Sequence, residues 1–270
     1  MAGRRNRLAW KRALKRREAL LIGYAVAGDP DLDRSIQIAG EMVESGVDIL
    51  EIGVPSADPR FDGEIIRRAH RRALRHPDVE KGQLPLFYWP RLRARTDAPI
   101  WAMGYRRELV DSGLYMEMAR NGWIDGLVLP DCTLEEQRDV GQRVAELGVD
   151  VIRFVHAAMS DRELREAVDG AGILYVQLYR GTTGDLTARL EHLRPLCARL
   201  RRYTDALLVA GFGLSTAERV REAVESGFDG AVVGTALVAC CERGELDHLY
   251  RMIADMKLET KLGTKHGSKR

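Results

Sequence analysis

LIGYAVAGDPDLDRSIQIAGEMVESGVDILEI, residues 21–52, decides the fold. It opens on a short apolar run at 21–26 and closes on another at 48–52. Between them Ile36, Ala39, Met42 and Val43 recur at the spacing of one helical face, and Gly46 follows as the residue that ends the helix. Runs apolar on both faces imply parallel strands covered by helices, because a solvated face would impose polar alternation. The same strand, loop, helix unit recurs along the chain. Further apolar runs lie at 98–104, 125–129, 151–155, 173–178, 206–210 and 230–233, and Val140, Val144 and Leu147, closed by Gly148, mark another helix. Eight such units predict an α/β protein with a closed (β/α)8 TIM barrel rather than a doubly wound sheet.

Outward from that frame, segment 76–97 (HPDVEKGQLPLFYWPRLRARTD) holds three prolines, so a helix can fill only part of it. Neither a Gly-rich linker nor a composition shift marks a second domain. Residues 1–258 are therefore expected as one barrel domain and 259–270 as a flexible basic tail. Before the first strand, RRNRLAWKRALKRREA (4–19) sets Leu8, Trp10 and Leu14, with Leu20 just beyond, among many cations. This predicts an extra N-terminal amphipathic helix lying on the barrel, its basic face solvated.

The 270 residues are 45% hydrophobic, enough for one sizeable core, and the formal net charge is only +2. Such a balance gives no argument for nucleic acid or an anionic membrane as partner. No apolar stretch is long enough for a bilayer, and no apolar leader follows the basic start, so a cytoplasmic location is expected. Cys132, Cys197, Cys240 and Cys241 form no C-x-x-C pair and read as buried thiols. His70 and His76 fall in an outer helix and its exit, His156 ends strand five, and none shows metal-ligand spacing.

Chemistry in such a barrel sits at the C-terminal ends of the strands. Strand two ends in Leu50-Glu51-Ile52-Gly53, a carboxylate inside an apolar run, and the next loop holds Asp58 and Asp62. Glu51 and Asp62 can form an acid/base pair if burial raises one and leaves the other ionised. The structural reading is that Glu51 pairs with an interior cation while Asp62 caps the helix from Ile65. Glycine-rich turns follow the last three strands: Arg180-Gly181-Thr182-Thr183-Gly184, Gly211-Phe212-Gly213-Leu214-Ser215 and Gly234-Thr235. Bare peptide N–H groups there predict an anion seat for a phosphorylated small molecule, although ordinary βα turns also use glycine. Tyr24, Met103, Tyr105, Tyr175 and Phe212 stand at or near strand ends as walls for an aromatic or apolar part of that molecule, or as plain core.

These residues resemble the alpha subunit family of tryptophan synthase. The anchors are AGDPD (27–31), GVDILEIGVP (46–55), DP (58–59), DG (62–63), IIRRAHRRAL (65–74), TTG (182–184), GFGLS (211–215) and GAVVGTALV (230–238). The resemblance implies retro-aldol cleavage of indole-3-glycerol phosphate to indole and glyceraldehyde 3-phosphate, in tryptophan biosynthesis, with neither metal nor organic cofactor. It implies Glu51 as the proton donor to the indole ring carbon, Asp62 as the group polarising the indole nitrogen, and Tyr175 beside them. Tyr24, Met103, Tyr105, Thr183 and Phe212 would hold the substrate, with the Thr183 loop as a lid. Gly184, Gly213, Gly234 and Thr235 would hold phosphate, Thr235 replacing the usual serine.

The chain departs from the family at the rim. Pro55-Ser56-Ala57-Asp58-Pro59 stands for the usual P-F-S-D-P, in the loop that faces a beta subunit; Glu64 replaces a proline, and Tyr105-Arg106-Arg107 replaces Tyr-Asn-Pro. Strand five ends in HAAM (156–159) in place of a proline-rich turn. Two alternatives follow: the same chemistry on a different phosphorylated substrate, or a catalytically silent binding partner.

Overall fold

The computed structural model describes residues 3–76, 84–177, 193–211 and 213–262. Strands β1 (Leu20–Val26), β2 (Ile49–Gly53), β3 (Ile100–Met103), β4 (Gly126–Val128), β5 (Asp150–His156), β6 (Ile173–Gln177), β7 (Leu207–Gly211) and β8 (Gly230–Val233) pair in parallel in sequence order. β8 then pairs with β1, Ile22 opposite Val232, and closes the barrel. Each of the eight apolar runs is a strand of this sheet.

The period of two along each strand divides the apolar residues between two cores. Ile22, Ile49, Trp101, Val128, Ile152, Ile173, Val209 and Val232 fill the barrel. Their neighbours Leu21, Leu50, Ala102, Leu127, Leu174, Leu208 and Ala231 face outward against the helices. That covering layer comprises α2 (Leu32–Glu44), α3 (Glu64–Leu74), α4 (Leu84–Arg95), α5 (Leu114–Arg120), α6 (Leu134–Val144), α7 (Asp161–Val168), α8 (Leu193–Leu200), α9 (Ala217–Glu225), α10 (Thr235–Arg243) and α11 (Leu246–Leu258). Local chemistry starts them where the sequence allows. Asp31 accepts from the Arg34 amide, and Thr133 with Glu136 and Ser160 with Glu163 form capping boxes. Of segment 76–97, Leu84–Arg95 forms a helix in which Tyr88, Trp89 and Leu92 are fully buried, while 77–83 lie outside the described residues.

A row of aspartates ties the N-terminal ends of the strands together. Asp48, just before β2, accepts the Leu21 amide of β1 at 2.9 Å, with Lys257 and Arg16 also on its carboxylate. Asp125, just before β4, accepts the Ile100 amide of β3 at 3.0 Å and pairs with Arg93 and Arg5. Asp229, just before β8, accepts the Leu208 amide of β7 at 2.8 Å and pairs with Arg201. Each satisfies a strand-start N–H that lacks a ladder partner.

The extra N-terminal helix is present as α1 (Arg4–Arg16) and covers this end, but its contact face differs from the one expected. Leu8 and Leu14 are exposed, and Leu20 belongs to β1. Asn6, Ala9 and Ala13 face the barrel instead, with Trp10 packed partly against it. Small residues let the helix approach closely, and Asn6 then plugs the barrel foot. Its amide donates to Asp150 Oδ2 at 2.7 Å and the Asp125 carbonyl at 2.9 Å, and accepts from the Trp101 indole at 3.0 Å.

The chain also remains bonded to the barrel a few residues beyond 258. Thr260 is fully buried, its carbonyl accepts from Ala19, and Leu262 donates to Arg17, so the chain stays attached through 262. Residues 263–270 lie outside the described residues. Among the described residues no helix is long and apolar enough to cross a membrane, and no cluster of metal-ligating groups occurs.

Candidate active site

A cavity of about 290 Å³ opens at the C-terminal mouth of the barrel, lined by Tyr24, Glu51, Asp62, Met103 and Tyr175 together with Gly213, Gly234 and Thr235. The strand-two carboxylate thus faces the same hollow as Gly213 after β7 and Gly234 after β8. Thr183, Gly184 and Phe212 lie outside the described residues.

Glu51 occupies the middle of β2 with its side chain inward, between Tyr24 of β1 and Trp101 of β3 in the register. It is 2% exposed, its Oε2 has no hydrogen-bond partner, and no cation among the described residues pairs with it. Burial, reinforced by the Asp62 charge, pushes its carboxyl up to about 8. A neutral carboxylic acid is therefore the resident form near neutrality. The interior-cation reading of Glu51 does not hold.

Asp62 is 2% exposed and does not cap α3; Gly63 is the N-cap residue and makes no side-chain cap bond. Instead Asp62 Oδ2 accepts the Tyr105 hydroxyl at 2.7 Å, and that hydroxyl accepts the Phe61 amide at 3.1 Å. Phe61, half-exposed at the rim, stacks on Tyr105 with ring centroids 6.3 Å apart. Tyr105 is thus a support for Asp62 and is not itself a cavity wall, as its sequence position had suggested. The Glu64 side chain turns to Arg71 at 2.5 Å on the surface, so its added charge stays out of the cavity.

Tyr24 and Tyr175 are buried, and burial first, then the two carboxylates, holds both phenols protonated. Glycine makes room for each ring. A Cβ on Gly53 would lie 2.3 Å from the Tyr24 hydroxyl, and one on Gly211 would lie 2.0 Å from the Tyr175 ring. Gly211→Ala is therefore expected to cost about 1–3 kcal/mol of stability by overpacking and to displace Tyr175 into the cavity, read as a lower Tm and weaker ligand binding.

At the opposite wall Gly213 has φ 86°, a left-handed conformation natural to glycine. Gly234 is the N-cap residue of α10, without a side-chain cap, so first-turn N–H groups of that helix are left for a ligand at the cavity wall. Several lining residues were not anticipated: Phe61, Ile65, Ile66, Val128, Pro130, Phe154, Leu214, Ser215, Val232, Ala236 and Ala239. Phe154 was legible from strand alternation with Ile152, and Ser215 from its place in the turn after β7. Asp58, by contrast, is exposed and bound to Arg60 at 3.0 Å, away from the cavity.

Fold and site together define a (β/α)8 barrel protein with a carboxylate-bearing apolar cavity and backbone N–H donors at its mouth. Residues 10–266 match the family model described as the tryptophan synthase alpha chain. The chain belongs to that family. It is 32% identical over 244 residues to the tryptophan synthase alpha chain of Petrotoga mobilis, covering 89% of this chain and 93% of that one. Against the alpha chain of Methanoregula boonei the identity is 35% over 237 residues, covering 85% and 87%. A chain of Mycobacterium tuberculosis tryptophan synthase superposes with a TM-score of 0.85 at 27% identity, covering 97% of this chain and 100% of that chain.

Proposed function

We propose that this chain is a carbon–carbon lyase that cleaves indole-3-glycerol phosphate to indole and glyceraldehyde 3-phosphate. The observation that carries the reading is Glu51, an unpaired buried acid raised to about 8, in the same cavity as Asp62, Gly213 and Gly234. Breaking the bond between the ring carbon and the glycerol chain requires a proton on that carbon and removal of one from the adjacent hydroxyl. Glu51 supplies the first proton. The carboxylate it becomes takes the second, so the proton is returned as the aldehyde forms. Asp62 accepts the indole N–H, opposing the positive charge that develops on the ring. Tyr24, Met103 and Tyr175 enclose the indole, with Thr183 and Phe212 as further substrate contacts, while Gly213, Gly234 and Thr235, with Gly184, receive the phosphate end. No metal or organic cofactor is required by this chemistry. Family membership supports a tryptophan synthase beta chain as partner, and the altered Pro55 to Asp58 loop is where that contact would depart from the family.

A silent binding role is disfavoured by Glu51, since a pure binding protein gains nothing from an unpaired buried carboxyl. The test is to mix purified protein with indole-3-glycerol phosphate, alone and with a beta chain, and follow indole release. Indole is expected, with turnover falling as pH rises through about 8 as Glu51 loses its proton. No indole under either condition refutes the assignment; release of the aldehyde phosphate from another aryl or alkyl glycerol phosphate points to the same chemistry on a different substrate.

A further inference from the structure

His70 is fully buried on the inner face of α3, where Ile66, Ala69 and Ala73 also point inward. Its Nδ1 accepts the Ser56 backbone N–H at 3.1 Å. A ring nitrogen that accepts from an amide carries no proton, so the hydrogen of the neutral imidazole is on Nε2. Nε2 lies 3.5 Å from Asp62 Oδ2, just beyond a formed hydrogen bond, and is left as a buried, unpartnered donor aimed at that carboxylate. The Tyr105 hydroxyl meets the same oxygen at 2.7 Å. Oδ2 is thus bonded to the hydroxyl and approached by Nε2, so both groups crowd one oxygen of the carboxylate.

The backbone that sets the tautomer belongs to the β2–α3 loop. Ser56 is 2% exposed, donates its hydroxyl to Glu108 Oε1 at 3.0 Å and accepts the Asp58 amide at 3.1 Å. Ser56 is thereby anchored on two sides before its own N–H reaches His70. A path of direct contacts runs from the rim loop through the imidazole to the second carboxylate of the cavity.

We infer that His70 is a positioning residue that couples the β2–α3 loop to Asp62: the Ser56 amide fixes the imidazole as an Nε2–H donor, and that unpartnered donor closes on Oδ2 when ligand is bound, turning Oδ1 toward the indole N–H. This rests on the role proposed for Asp62. Because charge on the indole nitrogen grows toward the transition state, misorienting Asp62 lowers kcat more than it raises KM.

Two variants separate the halves of this path. His70→Asn keeps an acceptor near the Nδ1 position for Ser56 but cannot reach Asp62; His70→Gln places an N–H near the Nε2 position but gives up the acceptor. In the full chain His70→Asn is expected to reduce kcat about tenfold with KM within about twofold, and His70→Gln to retain most of kcat. A merely structural histidine would instead make both variants lose kcat in proportion to their loss of Tm, and that result overturns the inference. Nitrogen NMR of histidine-labelled wild-type protein reads the tautomer without any substrate. An unprotonated Nδ1 is expected, and a proton on Nδ1 overturns the inference even if turnover behaves as stated. Should wild type release no indole, the proposed function fails on its own, and the NMR measurement still decides the tautomer of His70.

Discussion

Glu51→Gln is expected to abolish indole release while making the protein more stable. The turnover loss is about 10²–10⁴-fold, the usual contribution of a positioned general acid, and Gln supplies no proton to the ring carbon. Binding of a non-cleavable indole alkyl phosphate is expected to survive, because the amide is nearly isosteric and the proposed anion seat is untouched. The stability gain follows from linkage. The Glu51 carboxyl is raised from 4.5 to about 8 in the fold, so its contribution is fully present only at a pH below 4.5 and is lost as pH rises toward 8. In the unfolded chain the same carboxyl ionises freely. Near neutral pH that difference costs the native state on the order of 3 kcal/mol, at about 1.4 kcal/mol per pH unit. Glutamine does not titrate and removes this cost. Urea unfolding of both proteins at acidic and neutral pH should show stabilisation at neutrality and close to none at acidic pH. A variant that is inactive but no more stable at neutrality would mean that Glu51 is ionised in the fold, contrary to the acid role.

Asp125→Ala is expected to give the largest stability loss, about 3–5 kcal/mol, because it strips a buried guanidinium of its counter-charge. Asp125 is 6% exposed at its side chain and its partner Arg93 11%, so solvent cannot replace the carboxylate. The Ile100 amide at the start of β3 loses its acceptor at the same time, and Arg5 its anchor from α1. Asp125→Asn should cost less, since an amide oxygen can still accept from Ile100. Thermal and urea unfolding of the pair check this ordering. An Ala variant within about 1 kcal/mol of wild type would show the pairing to be ornamental, as many exposed ion pairs are.

The barrel was legible because helix-covered parallel strands leave an unmistakable mark: eight apolar runs with no polar alternation, separated by helices. Glu51 was legible for the opposite reason, as a carboxylate in a place where an unpaired charge is costly. What escaped the sequence depended on tertiary contact. His70 shares a helical stripe with Ile66, Ala69 and Ala73, yet four arginines surround it in IIRRAHRRAL and make the segment read as surface. The contact face of α1 was misread because leucines outrank alanines on any apolar scale. Close approach to the barrel foot favours Ala9 and Ala13, leaving Leu8 and Leu14 outside. Asp48, Asp125 and Asp229 look like ordinary turn residues until their neighbours are known. The support of Asp62 by Tyr105 joins residues 43 positions apart and leaves no local trace.

The row of strand-start aspartates separates two kinds of selection. At the foot, a lost carboxylate strands an arginine and an amide, so drift there is purged through folding. The mouth owes little to those bonds, and its loops can exchange residues without endangering the scaffold. This explains how a chain can hold Pro55-Ser56-Ala57-Asp58-Pro59 and Glu64 at its rim while its barrel superposes on a distant relative from end to end. New specificities in such a lineage should therefore arise by rewriting the upper loops alone, with the lower girdle inherited unchanged.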